Sequence, residues 1–526
     1  MMPGIFNDVI GPVMRGPSSS HTAASHRIGS VIRQFCSPEN GKVLVEFDRH
    51  GSLATTYEGQ GTAMGLISGL LGLSILDRSM IRYNELAGEK GMDILFEITD
   101  LDYSHPNTYK ILVTNRSGEH FSFVALSTGG GMIEFIEINK YKVSVKGDFY
   151  ETLACFESVS GEKAKLLYDK IKELPEHSSV SLIEKGPEEY LIEIKSRQPL
   201  SGQTKAIIGN LTDASWLRQI APVMPVIGGI SGDLPFTSVE EMITYADRNK
   251  SDLADLAIAF ESARSGLEPE KVVSMMKEIV SYVRSSVRDG LSGTVYTDRI
   301  LGHQSQLILD AEKEKKIFSS PMNRIIAYVT ALMEAKSSMG IIVAAPTAGS
   351  SGVLGGTILG VAEGASYSDD DISRAFLAAG LIGVFIADKY TFAAEEGGCQ
   401  VECGAASGMT AAGLADLMGG TAREAVNAAS MALQNMLGLI CDPVADRVEV
   451  PCLGKNILGA NNAVSSANMS LAGFDPVIPL NEVIDAMKSV GESLPSSLCC
   501  TGLGGLSVTP TALSIQKKLK LNNQKH

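Results

Sequence analysis

The first quarter of the chain alternates short apolar runs with glycine-containing turns. Near every second position, the β-branched and aromatic residues typical of half-buried strands occur in four runs: KVLVEFD (42–48), DILFEITD (93–100), YKILVTN (109–115) and HFSFVAL (120–126). The longer apolar stretch TAMGLISGLLGLSIL (62–76) predicts a helix between the first two of these strands. The pattern predicts an α+β domain over residues 1–138.

A smaller unit of the same kind follows over residues 139–200. The run EKAKLLYDKIKEL (162–174) places apolar residues at the spacing of one helix face. After it, SSVSLIEKGPEEYLIEIK (178–195) predicts two strands joined by a turn at Lys185-Gly186-Pro187. We interpret this unit as a small β-α-β module with a regulatory character. The segment 201–234, rich in glycine and proline, is predicted to be a linker.

The pattern becomes helical from about residue 235. A Ser-x-x-Glu capping box opens a helix at Ser238, and the run 269–290 begins on a proline and ends on a glycine. Beyond Ser320 the predicted helices are rich in alanine, glycine and serine, which favours close helix packing. We predict a mostly helical catalytic domain over 235–515 and a polar tail over 516–526. The predicted fold is therefore multidomain α+β with a C-terminal helical domain.

Composition and charge narrow the possible partners. The chain has 526 residues, 44% of them hydrophobic, and a formal net charge of −15, so no basic surface is expected to hold a nucleic acid. The longest uncharged stretch, 337–361, is broken by Pro346 and several glycines, which argues against a membrane span. The N-terminus lacks the pattern of a secretory signal. We expect a cytoplasmic protein without a membrane partner.

The cysteines supply the first candidate chemistry. Eight cysteines are too few for a disulfide scaffold, and clustered thiols in a reducing compartment indicate a metal or catalysis. Cys399, Cys441 and Cys452 lie in segments that contain glycine or proline, although any one of them alone is better explained as a small buried hydrophobe. A catalytic zinc site is disfavoured because the helical domain offers no histidine at ligand spacing. A [4Fe–4S] cluster on three thiolates would keep one iron free for a substrate.

Several motifs together resemble a known family. EEGGCQVECGAASGMTAAGLADL (395–417) and GLICDPVADRVEVPCLGKNILGA (438–460) resemble the catalytic α region of the iron–sulfur-dependent L-serine dehydratases, whose pattern is E-x-G-C-Q-x-E and later C-D-P-V…V-x-V-P-C. APTAGSSGVLGG (345–356) and GGLSVTPTAL (504–513) are also similar to that region. Segments 8–29, 50–63 and 127–153 resemble the β region of the family, in which Ser-Ser-His-Thr is a signature. The resemblance thus covers nearly the whole chain, in β-then-α order.

The resemblance implies a cofactor and a reaction. It makes Cys399, Cys441 and Cys452 the ligands of a [4Fe–4S] cluster. The implied enzyme is a carbon–oxygen lyase of amino-acid degradation and gluconeogenesis that converts L-serine to pyruvate and ammonia. In this chemistry the free iron activates the β-hydroxyl as a Lewis acid, and a base removes the Cα proton. The expected partner is a small amino-acid substrate, and the expected assembly is a homodimer.

Further residues are assigned roles as hypotheses. The catalytic candidates are Ser19, Ser20, His21, Thr22, His105, Asn107 and Lys455. The substrate-binding candidates are Ser52, Gln60, Thr347, Gly349 and Ser350. Four of these features have a plainer explanation: the Ser/Thr run as a helix cap, the segment 346–352 as a helix-packing turn instead of an anion cradle, His105 as a solvated loop residue and Lys455 as an exposed lysine.

The chain departs from the family pattern at three places. Gln60 and Ala63 stand where the family usually has histidine and aspartate, in G-x-G-H-G-T-D, and an amide cannot take up a proton as imidazole can. Cys499 and Cys500 replace a basic–acidic pair, and the chain ends in His526 instead of the terminal cysteine of some members. These departures leave open the base, the substrate and the role of Cys403.

Other functions therefore remain as alternatives. The same fold could act on another small β-substituted amino acid or a hydroxy acid. A pyridoxal-phosphate ammonia-lyase could use Lys336 or Lys455 as its Schiff-base lysine, but that function leaves the three cysteines unexplained. A catalytically inactive ligand sensor is also disfavoured. A solvent-accessible cluster is easily oxidised, so a protein without activity would have no need to keep the three cysteines.

Overall fold

The structure is a computed structural model, and it describes residues 2–202, 204, 214–229 and 232–523. Within these residues the strands are β1 (Val13–Arg15), β2 (Lys42–Asp48), β3 (Asp93–Thr99), β4 (Thr108–Thr114), β5 (His120–Gly129), β6 (Met132–Ile138), β7 (Tyr141–Val145), β8 (Tyr150–Glu157), β9 (Ser179–Gly186), β10 (Glu189–Ser196), β11 (Ala214–Ile220) and β12 (Ile341–Val343). The predicted mixture of sheets with a C-terminal helical region is confirmed.

The α-helices in the same residues are α1 (Ala24–Cys36), α2 (Leu53–Thr56), α3 (Thr62–Leu71), α4 (Tyr83–Glu89), α5 (Gly161–Lys172), α6 (Val239–Asn249), α7 (Leu253–Ser265), α8 (Pro269–Leu291), α9 (Ser305–Lys313), α10 (Pro321–Ser337), α11 (Ser351–Ala365), α12 (Asp369–Lys389), α13 (Ala394–Gly397), α14 (Ala405–Leu417), α15 (Ala422–Gln434), α16 (Cys452–Leu471), α17 (Leu480–Ser493) and α18 (Pro510–Asn523). Among the described helices, none has the combined length and apolar character needed to cross a membrane.

A six-stranded sheet forms the centre of the N-terminal region. Its strand order is β3-β2-β4-β5-β6-β7, and every neighbouring pair is antiparallel except β2 and β3. Helices α1 and α3 cover one face and approach each other closely, because a Cβ at Gly29 would lie 2.3 Å from the Leu66 carbonyl oxygen. A Cβ at Gly65 would lie 2.2 Å from the Thr22 carbonyl oxygen. The glycines of α3 therefore position the turn that carries His21.

The small module differs from its predicted boundaries at both ends. Its antiparallel sheet has the order β11-β8-β10-β9, with α5 packed beside it. Strand β7, expected in the module, instead pairs with β6 of the larger sheet. Strand β11 lies inside the segment 201–234 that was predicted to be a linker, and it pairs with β8 and forms one edge of the sheet. The apolar pattern of β11 is flanked by glycine and proline, so the sequence did not predict a strand there. Residues 203, 205–213 and 230–231 of that segment lie outside the described residues.

The helical region is built on very close contacts between small residues. A Cβ at Gly356 of α11 would lie 2.6 Å from the Val329 backbone nitrogen of α10, so only glycine permits this approach. Helix α12 is buried in the core from Ile372 to Ile386, apart from Arg374, which is half-buried. At the other end of the region, α18 extends through residue 523 and so includes most of the segment 516–526 predicted to be a polar tail. Residues 524–526 lie outside the described part of the chain.

The start of the chain belongs to the helical core and not to the N-terminal sheet domain in which it was predicted. Ile5, Phe6, Val9 and Ile10 are fully buried in the helical core. A Cβ at Gly380 of α12 would lie 2.7 Å from the Ile5 side chain, so the segment sits in a groove of that helix. Strand β1 then pairs antiparallel with β12, which directly precedes the segment 345–356. This pairing places the Ser/Thr/His turn of the N-terminal region beside the helical region.

A buried carboxylate in the module links stability to pH. Glu151 on β8 is 1% exposed, and neither of its carboxylate oxygens has a hydrogen-bond partner among the described residues. Lys195 Nζ lies 3.5 Å from Glu151 Oε1. Burial raises the pKa of Glu151 from an ordinary 4.5 to about 8, although the charge of Lys195 acts in the opposite direction. The folded chain therefore holds a proton at neutral pH that the unfolded chain has released.

We predict that this proton makes the module less stable as pH rises. The contribution of protonated Glu151 to the free energy of unfolding is fully present below about pH 4.5. It is lost as pH rises to about pH 8, because the pKa of Glu151 is higher in the folded state than in the unfolded state. Glu151→Gln should remove this loss, on the order of 2–4 kcal/mol over that window. Urea unfolding followed by the fluorescence of Trp216, the only tryptophan of the chain, reports on the sheet through β11. Glu157→Gln, an exposed change on the same strand, is the control, and an unaltered pH dependence in Glu151→Gln would contradict the prediction.

Candidate active site

Two wide helical turns carry the segments with candidate chemistry. The π-type turn Ser19–Ala23 leads directly into α1, and the π-type turn Gln400–Gly404 leads directly into α14. Turns of this kind are rare and occur often at functional sites. The pairing of β1 with β12 brings the first turn to the helical region, where the Ala348 N–H donates to Ser19 Oγ at 3.2 Å.

The predicted cluster cysteines lie near one another and near a glutamate. The Sγ atoms of Cys399 and Cys441 and a carboxylate oxygen of Glu402 all lie within 4.8 Å of one another. Cys452 is the first residue of α16, and the neighbouring Cys399 and Glu402 are close enough for their charges to act on its thiol. Cys403 is buried beside them, 3.7 Å from Asn456 Nδ2. Every cysteine of the chain is a free, buried thiol.

The environment of these thiols fits a metal cofactor. Burial, followed by the charge of Cys399, raises the pKa of Cys452 far above its usual range. Contact with the thiols of Cys399 and Cys500, together with burial, does the same to the pKa of Cys441. Such thiols become thiolates only if a positive centre replaces their protons. A buried set of converging sulfur atoms is the donor set that an iron–sulfur cluster requires.

Lys455 is a buried partner of the cysteine loops. Its Nζ is hydrogen-bonded to Asp442 Oδ1 and to the Ile440 carbonyl oxygen, at 2.7 Å each, and lies 3.9 Å from Cys399 Sγ. Burial lowers the pKa of Lys455, but the charge of Cys399 and the bond to Asp442 outweigh it and raise the pKa. Its side chain is 11% exposed, so the alternative of an ordinary exposed lysine is wrong. The contacts fix a positive charge beside the sulfur atoms.

His21 is fully enclosed. Thr56 Oγ1 donates to the Ser52 carbonyl at 2.7 Å, so it accepts from His21 Nε2, 2.8 Å away. The other ring nitrogen, Nδ1, lies 3.1 Å from the Ser18 hydroxyl and 3.7 Å from Glu395 Oε1. Burial lowers the pKa of His21 to about 3, so the ring is neutral at physiological pH. Because the Ser18 hydroxyl faces the ring, the helix-cap alternative for this serine run is not the arrangement observed.

Glu395 is a functional candidate that the sequence motifs did not single out. Its side chain is 4% exposed, and its Oε2 has no hydrogen-bond partner among the residues described. Burial and repulsion from Glu402 raise the pKa of Glu395 to about 7. A buried carboxyl group with such a pKa is a candidate general base, and its place four residues before Cys399 was the signal in the sequence.

Asn107 lies beside the carboxylate of Glu395, and His105 lies beside that of the next residue, Glu396. Asn107 is 0% exposed and lies near enough to Glu395 to act on its pKa, yet neither Nδ2 nor Oδ1 has a hydrogen-bond partner within the described part of the chain. Buried amides are normally hydrogen-bonded, so this side chain has free capacity for a ligand. His105 accepts from the Asn107 N–H at Nδ1, which leaves its proton on Nε2, and this nitrogen lies 3.5 Å from Glu396 Oε1. His105 thus contacts the site, though it is partly exposed.

The turn before α11 binds a glutamate of the site. Thr347 Oγ1 donates to Glu402 Oε1 at 2.6 Å, and a Cβ at Gly349 would lie 2.9 Å from the same oxygen. The N–H groups of Thr347 and Ser350 donate to each other's hydroxyl oxygens. Because these N–H groups are already used, the turn orders Glu402 and provides fewer free donors than an anion cradle needs.

The departures from the family pattern meet at the same site. Gln60 Nε2 lies 3.8 Å from Cys500 Sγ, and Ser52 Oγ lies 3.5 Å from the Cys500 carbonyl oxygen. Thr22 Oγ1 donates to the Gln60 carbonyl at 2.9 Å. Ser20 is buried and accepts from Ser127 Oγ through its carbonyl oxygen. The structure therefore brings the sequence candidates of both regions to one place, and adds Glu395, Glu402 and Asn456 to them.

Comparison with known proteins identifies relatives of this chain. Residues 195–507 match the family model described as serine dehydratase alpha chain. A probable L-serine dehydratase alpha chain of Bacillus subtilis is 36% identical over 285 residues, which are 54% of this chain and 95% of the relative. The L-serine dehydratase 1 of Escherichia coli is 30% identical over 291 residues, 53% of this chain and 63% of the relative.

The chain is also similar to a beta chain of an L-serine dehydratase. The probable beta chain of the Bacillus subtilis enzyme is 42% identical over 141 residues, which are 27% of this chain and 63% of the relative. These relatives are named as dehydratases, so the predicted class of enzyme, a lyase, is confirmed. The family inferred from the cysteine motifs is confirmed as well: the chain belongs to the serine dehydratase family, and the matched alpha-chain region contains the cysteine site.

Proposed function

We propose that the protein is a [4Fe–4S]-dependent L-serine ammonia-lyase that forms pyruvate and ammonia. One observation carries the proposal: converging buried thiols lie beside buried polar groups of Asn107 and Glu395 that have no partners among the described residues. Such orphan groups beside a metal-type donor set are expected where a small polar substrate binds. The relatives named L-serine dehydratase support serine as that substrate.

The sulfur ligands in this proposal are Cys399, Cys441 and Cys452. A [4Fe–4S] cluster bound there would supply a Lewis acid that stabilises the departing β-hydroxide. Lys455 holds a positive charge 3.9 Å from Cys399 Sγ and so stabilises the thiolate form of that ligand. Asp442 keeps the lysine in place through the bond at 2.7 Å.

The base in this proposal is Glu395. Elimination requires removal of the weakly acidic Cα proton, and a base works best when its pKa lies near the working pH. The pKa of Glu395, raised by burial to about 7, meets this condition, whereas the pKa of His21, lowered by burial to about 3, does not. His21 is therefore not the base in this proposal, and its unprotonated Nδ1 lies 3.7 Å from Glu395 Oε1, beyond hydrogen-bond distance.

Asn107 is assigned to substrate binding. Its free Nδ2 can donate to the substrate carboxylate, and its free Oδ1 can accept from the ammonium group. The Cα proton passes to Glu395 Oε2 while the β-hydroxyl leaves, and together they amount to the loss of one water. The resulting enamine tautomerises to an imine, and hydrolysis of the imine returns one water and releases ammonia.

The proposal is tested with anaerobically purified protein. Iron and sulfide are quantified, L-serine is added and pyruvate is measured, before and after exposure to air. We expect iron and sulfide in a cluster ratio and pyruvate formation that air abolishes. A protein that forms pyruvate without bound iron, but with pyridoxal phosphate, would contradict the proposal and favour the alternative cofactor. A protein with a cluster but no turnover of serine would turn the search to other small β-substituted substrates.

The cysteine assignment predicts a selective loss of metal. Cys399→Ser, Cys441→Ser and Cys452→Ser should each lose most of the cluster iron and the activity together, because thiolate is the ligand that such clusters prefer. The measurement is iron per chain after anaerobic reconstitution, with the pyruvate assay alongside. Cys36→Ser is the matched control, since Cys36 is also buried but donates to the Ile32 carbonyl oxygen within α1. Full iron content in all three site variants would contradict the assignment.

The base assignment predicts a pH dependence. A carboxyl group must be ionised to accept a proton, so kcat should rise with pH and level off above about pH 7, the pKa to which burial raises Glu395. Glu395→Gln should lower kcat by about 10²–10⁴-fold while it keeps the cluster. The assay is pyruvate formation from about pH 5.5 to about pH 8.5, with iron analysis on each variant. Glu396→Gln, the more exposed neighbour, should lose much less activity; equal losses in the two variants would argue against Glu395 as the base.

A further inference from the structure

A cavity between the N-terminal region and the helical region has no part in the proposed mechanism. Its volume is about 520 Å³, which is in the range of sites that hold small molecules. Gly59 and Arg82 line it from the N-terminal region, and Asp298 and Arg447 line it from the helical region. The cavity therefore lies at the junction of the two regions, as the candidate active site does.

The outer end of the cavity is lined by exposed side chains. Ile81 is 41% exposed, and the side chains of Arg82 and Glu85 are 57% and 65% exposed. Arg82 Nε donates to Glu85 Oε2 at 2.8 Å, so these two charges are paired. Glu58 is also exposed at this end, and it forms no ion pair with any residue that the structure describes. Its negative charge can therefore attract a positively charged group from solvent.

The inner end of the cavity adjoins the candidate active site. Pro17 and Gly61 line this end, and both are buried. The residue after Pro17 is Ser18, whose hydroxyl lies 3.1 Å from His21 Nδ1. A Cβ at Gly61 would lie 2.5 Å from Thr22 Oγ1, so the cavity wall is in contact with the turn that carries the polar candidates. The cavity thus extends from exposed residues to the back of that turn.

Arg447 provides an available hydrogen-bond donor between the two ends. Its side chain is 11% exposed, and its Nη2 donates to Asp298 Oδ1 at 2.7 Å. Its Nε is buried and has no hydrogen-bond partner among the residues described. A Cβ at Gly59 would collide with Arg447 Nη1, so glycine at that position lets the guanidinium cross from one wall to the other. Buried polar groups normally have partners, and a guanidinium with an unused donor suits a carboxylate.

We propose that this cavity is the route by which the amino-acid substrate enters the active site, and that Arg447 attracts the substrate carboxylate along it. The inference rests on the proposed function, which supplies a substrate with one carboxylate and one ammonium group. Glu58 offers a negative charge to the ammonium group at the outer end, and Arg447 offers donors to the carboxylate farther in. Neither residue belongs to the final complex, in which Asn107 binds the substrate.

The helical wall of the cavity is anchored independently of Arg447. Asp298 belongs to the segment between α8 and α9, which has no regular secondary structure. In the same segment, the N–H groups of Ile300 and Leu301 donate to Glu449 Oε2 at 3.1 Å and 2.9 Å. A substitution of Arg447 or Asp298 therefore removes one ion pair while these backbone hydrogen bonds continue to hold the segment.

The first test narrows the route after the protein has folded. Ile81→Cys is labelled anaerobically with maleimides of increasing size, which is selective because every native cysteine is buried. The association and dissociation rate constants of L-serine, from the stopped-flow absorbance of the cluster, should both fall as the label grows. Their ratio should stay constant, because an obstruction raises the barrier and leaves the free and bound states unchanged. Leu95→Cys, 54% exposed on β3 and outside the cavity lining, is the labelled control and should show no slowing.

The second test concerns the guanidinium. Arg447→Met should lower both rate constants about tenfold, because one attracting charge is lost from the route, while the iron content and the dissociation constant of L-serine stay the same. Asp298→Asn removes the same ion pair but keeps the guanidinium, so it should slow entry much less. Equal slowing in the two variants would make Arg447 a structural support only. A raised dissociation constant with an unchanged association rate would place Arg447 in the final complex, against the inference.

The outcomes separate the entry route from the proposed function. Rate constants that do not change with the largest label on Ile81→Cys would overturn the route and leave the proposed function standing. A wild-type protein that contains no cluster or forms no pyruvate from L-serine would instead overturn the proposed function, and the inference with it. If Arg447→Met does not fold, the labelled Ile81→Cys protein still decides the route, since its label is attached to the folded chain.

Discussion

The antiparallel pairing of β1 with β12 is the contact on which the site depends. The two strands belong to segments more than 300 residues apart in the chain, and they are followed by the turns that contain His21 and Thr347. The apolar segment before β1 strengthens this link, because Ile5 and Val9 are buried against α12 of the helical core. The beginning of the chain therefore holds the N-terminal region against the surface that carries the cysteines, and the polar side chains of one region meet the sulfur atoms of the other.

Local patterns predicted much of the fold. The alternation in KVLVEFD and DILFEITD matches strands β2 and β3, and the capping serine at Ser238 precedes α6. Long-range contacts decided what the patterns missed. Strand β11 is short and surrounded by glycine and proline, so only its pairing with β8 reveals it. The segment before β1 reads as the start of the N-terminal domain, and its place in the helical core follows from its contacts with α12.

The candidate site also contains parts that the sequence predicted and parts that only the fold reveals. Cysteine motifs are visible in sequence because their residue types and spacings are unusual, and the family comparison agrees with them. The raised pKa of Glu395 was not visible in the sequence, because it results from burial and from repulsion by Glu402, which are properties of the folded chain. The contact of Gln60 with Cys500 joins residues 440 positions apart. Sequence analysis identified both as separate departures, and only the fold shows that they touch.

The most direct measurement is an anaerobic crystal structure of the reconstituted protein with L-serine bound. The account predicts a cluster on Cys399, Cys441 and Cys452, with the serine hydroxyl on the remaining iron. The serine carboxylate should be bound by Asn107. Glu395 Oε2 should point at the Cα hydrogen of the serine. A cluster on a different set of cysteines, or serine bound away from the junction of the two regions, would contradict the account.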